Sequence, residues 1–366
     1  MTFTPCQWIA AGLACLLSAS SWTQESIELP PGFSIEEYAS VPNARSMALG
    51  ERGTVFVSNR SGNSIFAISN SDGGVNAFEL LDDLETPNGI AIFDGDLYVA
   101  ETSRVTRYRD IEANLDEPPA AEVLDIDLPS ESWHGWRYIG FGPDDKLYIA
   151  VGAPCNICDK EGYANIIRMH PDGSMREVYA HGVRNSVGFT WHPLSGELWF
   201  TDNGRDMLGD DIPPDELNNA TEPGQHFGYP YCHAGEIIDP KLGAGKICSD
   251  YRGPAQKLGA HVAALGLKFY TGSMFPESYH GQVFIAEHGS WNRSKKSGYR
   301  LTVVKFIDGV ATSYQPFATG WLRGQEVSGR PVDLLILKDG SMLVSDDQSG
   351  KIYRITYSKS ANQEEY

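Results

Sequence analysis

One pattern recurs six times along this chain and limits what it can fold into. A polar loop leads into an apolar strand, then a Gly/Asp turn, a second strand carrying an aromatic, and a second polar loop. The copies occupy residues 43–60, 87–104, 134–152, 181–206, 265–293 and 330–357. Two short apolar runs split by a turn are the signature of an antiparallel hairpin. Further strands follow several copies, at 64–68, 105–108, 166–169, 301–306 and 351–355. Six units of roughly 40–50 residues, each too small to bury its own apolar face, predict an all-β fold, a six-bladed β-propeller. A solenoid is the competing repeat architecture, but it needs a more uniform period and capping ends. The opening run at 33–38 is expected to complete the last blade beside 351–357, which hides two sheet edges. Thirty-eight Gly, 17 Tyr and 8 Trp fit such a turn-rich, aromatic β architecture.

The spacing is uneven in one place. From Leu198 to the corresponding Val283 the interval is twice that from Val55 to Leu97. The excess, about 207–264, is rich in Gly, Pro, Asp and His, and long irregular stretches in compact domains are usually functional loops. Residues 24–366 are therefore expected to form a single propeller domain carrying this insertion. Residues 1–23 contain an apolar run of signal-peptide length followed by small residues, which predicts export to the periplasm or medium. No stretch is long enough to span a membrane in the mature chain. The net charge of −19 argues against nucleic acid or anionic membrane as partners, and solubility alone also accounts for it. Removing the leader takes Cys6 and Cys15 away, leaving Cys155, Cys158, Cys232 and Cys248. An even count in an exported chain predicts disulfides, and the local pairs are Cys155–Cys158 and Cys232–Cys248. Zinc on Cys155, Cys158 and His233, or redox chemistry by the Cys-Asn-Ile-Cys motif, are the alternatives.

In a propeller the loop before the innermost strand and the loop after the second strand share one face. That face collects Arg45, Asn88, His134, Arg137, Arg184, Asn185 and Arg330 from the first set of loops. From the second it collects Asn59, Arg60, Glu101, Arg104, residues 202–206, Glu287, His288 and Asp346. Arginine forks suit carboxylate-bearing ligands. Gly204 and Arg205 sit in a tight loop able to turn backbone carbonyls toward a hard cation, with Asp206, Asp210, Asp211, Asp215 and Glu216 as nearby oxygen donors. No EF-hand spacing exists, and the acidic run also reads as a solvated loop. His134, between Trp133 and Trp136, reads either as a general base tuned by apolar neighbours or as a half-buried structural histidine. Arg and Asp in such loops also commonly pair with each other or satisfy backbone groups.

Several of these segments together resemble the soluble quinoprotein sugar dehydrogenases, in the branch of the sorbosone and pyranose dehydrogenases. They are HGWRYIGFGPDDKLYIAVGAPCNIC, VRNSVGFTWHPLSGELWFTDNGRD, DELN, HFGYPYC, FIAEHGSWNR and GRPVDLLILKDGSMLVSDD. The resemblance covers nearly all of residues 30–357, in the family's order. It implies pyrroloquinoline quinone (PQQ) in the central mouth, a calcium ion on the quinone, and oxidation of a sugar or sugar-derived aldehyde by hydride transfer. Carried over, His134 corresponds to the catalytic base. Arg184 and Asn185 correspond to the pair near the quinone oxygens, with Arg184 stabilising charge during reduction. Asn203, Gly204 and Arg205 correspond to the cofactor loop, and the carbonyls of Gly204 and Arg205 to the calcium ligands. His288, Arg293 and Arg330 correspond to further cofactor contacts. The chain departs from the pattern at Trp133 and Arg137 around the base, and at Val327-Ser328 before Gly-Arg-Pro. These departures sit at the mouth and bear on the substrate. Cys158 is followed by Asp159, so there is no haem-attachment motif, and electrons are expected to pass to an external quinone or cytochrome acceptor. A calcium-dependent propeller lactonase and a non-catalytic binding propeller are the other readings this face allows.

Overall fold

Side-chain alternation along one strand shows how the molecule is assembled. In Val55–Asn59, Val55 and Val57 pack toward Leu335, Leu343 and Ile352, while Phe56 packs on the other side with Ile90, Leu97 and Val99. A strand apolar on both faces needs a sheet on each side of it. The computed structural model, which describes residue 1 and residues 27–71 and 74–359, meets that need with six blades, each built on four antiparallel strands and one of them extended by a fifth. The chain is a six-bladed β-propeller. The expected leader segment, with Cys6 and Cys15, lies outside the described residues.

Innermost strands run at Ala44–Leu49, Gly89–Phe93, Ile139–Phe141, Phe189–Trp191, Ala264–Phe269 and Pro331–Ile336. Each pairs antiparallel with the second strand of its repeat. Six principal apolar clusters fill the six gaps between neighbouring blades. Among the described residues there is no α-helix, only three short 3-10 turns. No described helix is long and apolar enough to cross a membrane.

Ring closure follows the expected route. Strand Phe33–Ser40 pairs antiparallel with Lys351–Tyr357, so the sixth blade takes one strand from the start of the chain and three from its end. A repeated hydroxyl then ties blade to blade. Ser58 donates to the carbonyl of Asn88 at 2.5 Å, Thr201 to Leu265 at 2.6 Å and Ser345 to Arg45 at 2.6 Å. All three occupy the same place near the end of the second strand. Close approach is visible at Gly188, where an added Cβ would lie 2.3 Å from the Leu265 carbonyl oxygen.

The stretch 207–264 is divided by the structure. Pro214–Ala220 and Gln256–Ala260 are the outer strands of the fourth blade, so these segments belong to the propeller itself. Residues 221–255 lie outside that four-strand plan. They add Gln225–His226 to the edge of the third blade in parallel and form a small hairpin, Cys232–His233 with Ile237–Ile238. Both expected disulfides are present, Cys155–Cys158 and Cys232–Cys248.

Candidate active site

The loops of one propeller face enclose a cavity of about 550 Å3. Of the residues singled out in the sequence, His134, Arg184, Asn185, Asn203 and Gly204 line one part of it. His288, Arg330, Arg45 and Arg60 line another. Arg205 and Arg293 fall outside the lining. The Arg205 guanidinium turns away to Asp239 at 2.5 Å, and Arg293 reaches the Asp210 carbonyl at 2.9 Å and Asp211 at 2.7 Å.

His134 is held in a specific chemical state. Its Nδ1 lies 2.8 Å from the carbonyl oxygen of Ala153, and a carbonyl can only accept, so Nδ1 carries the proton. The lone pair is left on Nε2. Burial, and then the positive charge of Arg184, lower its pKa to about 3, so the ring is neutral at ordinary pH. The backbone there has φ 50°, in the left-handed region, and Gly152 makes room for it. A Cβ on Gly152 would sit 2.6 Å from that of His134.

Arg184 is almost fully buried and fixed at every nitrogen that points inward. Nε donates to the Asn156 carbonyl at 3.0 Å, Nη1 to the Asn203 carbonyl at 3.0 Å, and Nη2 to Asn156 Oδ1 at 2.9 Å and to Asp206 at 3.1 Å. Beneath it, Asp202 accepts from the backbone N–H groups of Arg184 and Asn185 at 2.8 and 2.6 Å. Burial, reinforced by neighbouring Glu216, pushes the Asp202 pKa up to about 8. Asp215 accepts from the N–H groups of Gly204 and Ala264, and burial pushes its pKa up to about 7. These carboxylates shape the loops.

The facing wall is built from charges. Asp347 accepts from Arg45 at 2.9 Å and from His288 Nε2 at 2.8 Å. The two partners hold Asp347 below the usual carboxylate range despite its burial, whereas burial lowers His288 to about 4. Arg330 donates to the carbonyls of His288 and Gly289 at 3.0 and 2.8 Å. Arg60 lies over the Trp136 ring at 4.1 Å. Among the described residues neither Arg60 nor Arg330 has an ion-pair partner. Burial lowers the pKa of both, and the Arg45 charge adds to this. The wall thus carries cationic charge that its own carboxylates do not match.

Other residues of this face are spent on structure. Glu101 binds Arg104, Glu287 binds Arg300, and Asp346 accepts from the N–H of Arg330. Arg137 is buried against the carbonyls of Thr102 and Pro129, and Asn88 positions Arg45 at 2.9 Å. Several site residues were not singled out in the sequence, His261 in the lining among them. Asn156 and Asp347 fix the arginines, and Trp291, 67% exposed, stands in the lining. The Cys-Asn-Ile-Cys motif could have flagged Asn156, and the Ser-Asp-Asp end of the last family segment could have flagged Asp347. Among the described residues no group of three or more His, Cys, Asp or Glu is placed to hold a metal. The carbonyls of Gly204 and Arg205 accept no hydrogen bond among the described residues.

Comparison with known proteins agrees with this architecture. A profile of the glucose/sorbosone dehydrogenase family matches residues 120–290, and a TrAA12-like profile matches residues 238–358. An uncharacterized protein of Borreliella burgdorferi is 32% identical over 95% of both chains. A pyrroloquinoline quinone-dependent pyranose dehydrogenase of Coprinopsis cinerea is 26% identical over 62% of this chain, a match spanning 32% of the fungal enzyme. In structure, the Trichoderma reesei Carbohydrate-Active Enzymes Family AA12 protein superposes with TM-score 0.81 at 20% identity, covering 92% of this chain and 98% of that one. The PQQ domain of the Coprinopsis cinerea pyranose dehydrogenase gives 0.76 at 19% identity, covering 91% and 97%. These superpositions share the six-bladed propeller fold. Over residues 120–290 the chain matches the glucose/sorbosone dehydrogenase family.

Proposed function

We propose that this protein is a PQQ- and calcium-dependent dehydrogenase of a sugar or sugar-derived aldehyde, passing electrons to an external acceptor. The observation that carries the reading is the cavity's surplus of cationic charge, with Arg60 and Arg330 lacking ion-pair partners among the described residues. A planar quinone bearing three carboxylates fits such a slot, and Val187 and Leu265 supply an apolar surface beneath it. Arg184, Asn185, Asn203 and Arg330 would hold its polar edge, with His288 beside them. The carbonyls of Gly204 and Arg205, which accept no hydrogen bond among the described residues, fit a hard cation that takes oxygen ligands. Arg205 acts in this reading through its carbonyl, and Arg293 through the loop it ties at Asp210. When bound, the quinone supplies a two-electron acceptor for the substrate's hydride, with calcium polarising the accepting carbonyl. His134 receives the substrate's hydroxyl proton at Nε2, the nitrogen left free by the bond to Ala153. Arg184 keeps a fixed positive charge beside the reacting atoms.

Two disulfides support placement of the working protein in an oxidising compartment, periplasmic or extracellular. Dye-linked oxidation of a panel of aldoses and sugar aldehydes, with and without PQQ and calcium, tests the proposal. Turnover should require both, excess chelator should abolish it, and calcium should restore it where zinc does not. Failure to retain PQQ, together with lactone hydrolysis in its absence, would overturn the reading in favour of a hydrolase.

A further inference from the structure

The Cys-Asn-Ile-Cys loop is left without a role by the chemistry above, yet it touches the centre of the site. Asn156 stands inside the span closed by the Cys155–Cys158 disulfide. Its side chain is engaged on both ends. Oδ1 accepts from Arg184 Nη2 at 2.9 Å and from the Asp206 N–H at 2.8 Å, and Nδ2 donates to the Asp206 carbonyl at 3.0 Å. Its backbone carbonyl accepts from Arg184 Nε at 3.0 Å. Two of the four side-chain hydrogen bonds of Arg184 therefore end on this one residue. The loop is braced from behind, where the Tyr229 hydroxyl accepts from the Cys158 N–H at 3.1 Å. Tyr229 belongs to the 221–255 insertion, which also supplies Asp239 to anchor Arg205.

We infer that Asn156, clamped by the Cys155–Cys158 disulfide, is the positioning residue that fixes Arg184 at the cavity wall without adding a second negative charge to its ion pair with Asp206. The inference rests on the dehydrogenase reading for its functional consequence, though its geometric core does not. A carboxylate at this place would orient the guanidinium equally well but set a second negative charge beside Asp206. An amide supplies an acceptor for the arginine and a donor for Asp206, and adds no charge. The disulfide fixes the backbone so that both groups meet their partners, and the order is established before any ligand binds.

The alanine and aspartate variants of Asn156 separate this role from a merely structural one. The apo protein is read first, by the protected Nη2–H resonance of Arg184 in 15N NMR, the group that donates to Asn156 Oδ1. Asn156→Ala should lose that protection, and so should the Cys155→Ser/Cys158→Ser double variant, which leaves Cys232–Cys248 intact. Asn156→Asp keeps an acceptor and should retain it. PQQ titration is read second. Affinity should fall by a factor of about ten to a hundred in Asn156→Ala, the range expected for hydrogen bonds to a charged group. It should fall also in Asn156→Asp, there through charge. A wild-type Arg184 signal in both Asn156→Ala and the double variant overturns the inference. Wild-type protein that binds no PQQ would instead overturn the dehydrogenase reading, and the apo NMR result would still decide the role of Asn156. Should Asn156→Ala fail to fold, the double serine variant alone decides, since it alters no atom of Asn156.

Discussion

The two walls of the cavity hold their arginines by different physics. On one side Arg184 is fixed mainly by neutral acceptors, the carbonyls of Asn156 and Asn203 and the Asn156 amide, with Asp206 as its one ion pair. A disulfide and the 221–255 insertion stiffen that side. On the other, the Arg45–Asp347 ion pair crosses the seam between the first and last blades, and the neutral ring of His288 donates to the same carboxylate. Neutral hydrogen bonds do not titrate and respond little to salt. A buried ion pair depends on both members staying charged, and on its histidine partner staying neutral. The first wall is therefore suited to constant geometry beside the reacting atoms, and the second to a strong local field whose integrity varies with pH.

Substitutions on either wall can break this contrast. The largest effect is expected at His134, which is tied by Nδ1 to the neutral wall. His134→Ala should lower turnover by roughly 10²–10⁴-fold, the usual range for one acid–base group, while PQQ and calcium still bind. Steady-state rates beside a cofactor titration check this, and near-normal turnover would remove His134 from the mechanism. Next comes Asp347→Ala on the charged wall. It leaves Arg45 and His288 without their common partner and should cost about 3–5 kcal/mol of stability, read by denaturant unfolding. A loss as small as that of a surface substitution would mean that this cluster is not structural.

The pH response follows with a definite sign. Burial depresses His288 to about 4 in the folded protein, against an ordinary value of about 6.5. The unfolded chain then binds more protons between those values, so this group's stability is full above pH 6.5 and is lost as pH falls toward 4. The slope is about 1.4 kcal/mol per pH unit within that window. Melting curves across it should flatten in His288→Gln, and an unchanged slope would exclude this histidine as the source. The smallest effect is expected at the rim. Arg293 pairs with Asp211, whose side chain is 85% exposed, and water screens such a pair. Arg293→Ala should change PQQ affinity less than about threefold, and a larger loss would show that the rim contributes directly to cofactor binding.

Much of this molecule is determined by short-range pattern. Alternation such as Val55, Phe56 and Val57 makes strands that need a neighbour on each face, and the Gly/Asp turns close them into hairpins. Repetition of that unit sets the blade count, and the unpaired runs at the two ends leave one way to close the ring. Loop position likewise places His134, Arg184 and Arg330 on one face. Tertiary structure decided which of the loop residues enter the cavity. Asp202 ends the second strand of its repeat and Asp206 lies in the loop just after it, yet one caps backbone N–H groups while the other pairs with Arg184. Arg137 and Arg184 hold comparable places in successive blades, yet Arg137 is consumed by the Thr102 and Pro129 carbonyls. The positions of Asn156 and Asp347 depend on partners 28 and 302 residues away. A propeller brings such residues together only by closing, and the spacing of a repeat carries no information about which side chain across the channel will meet which.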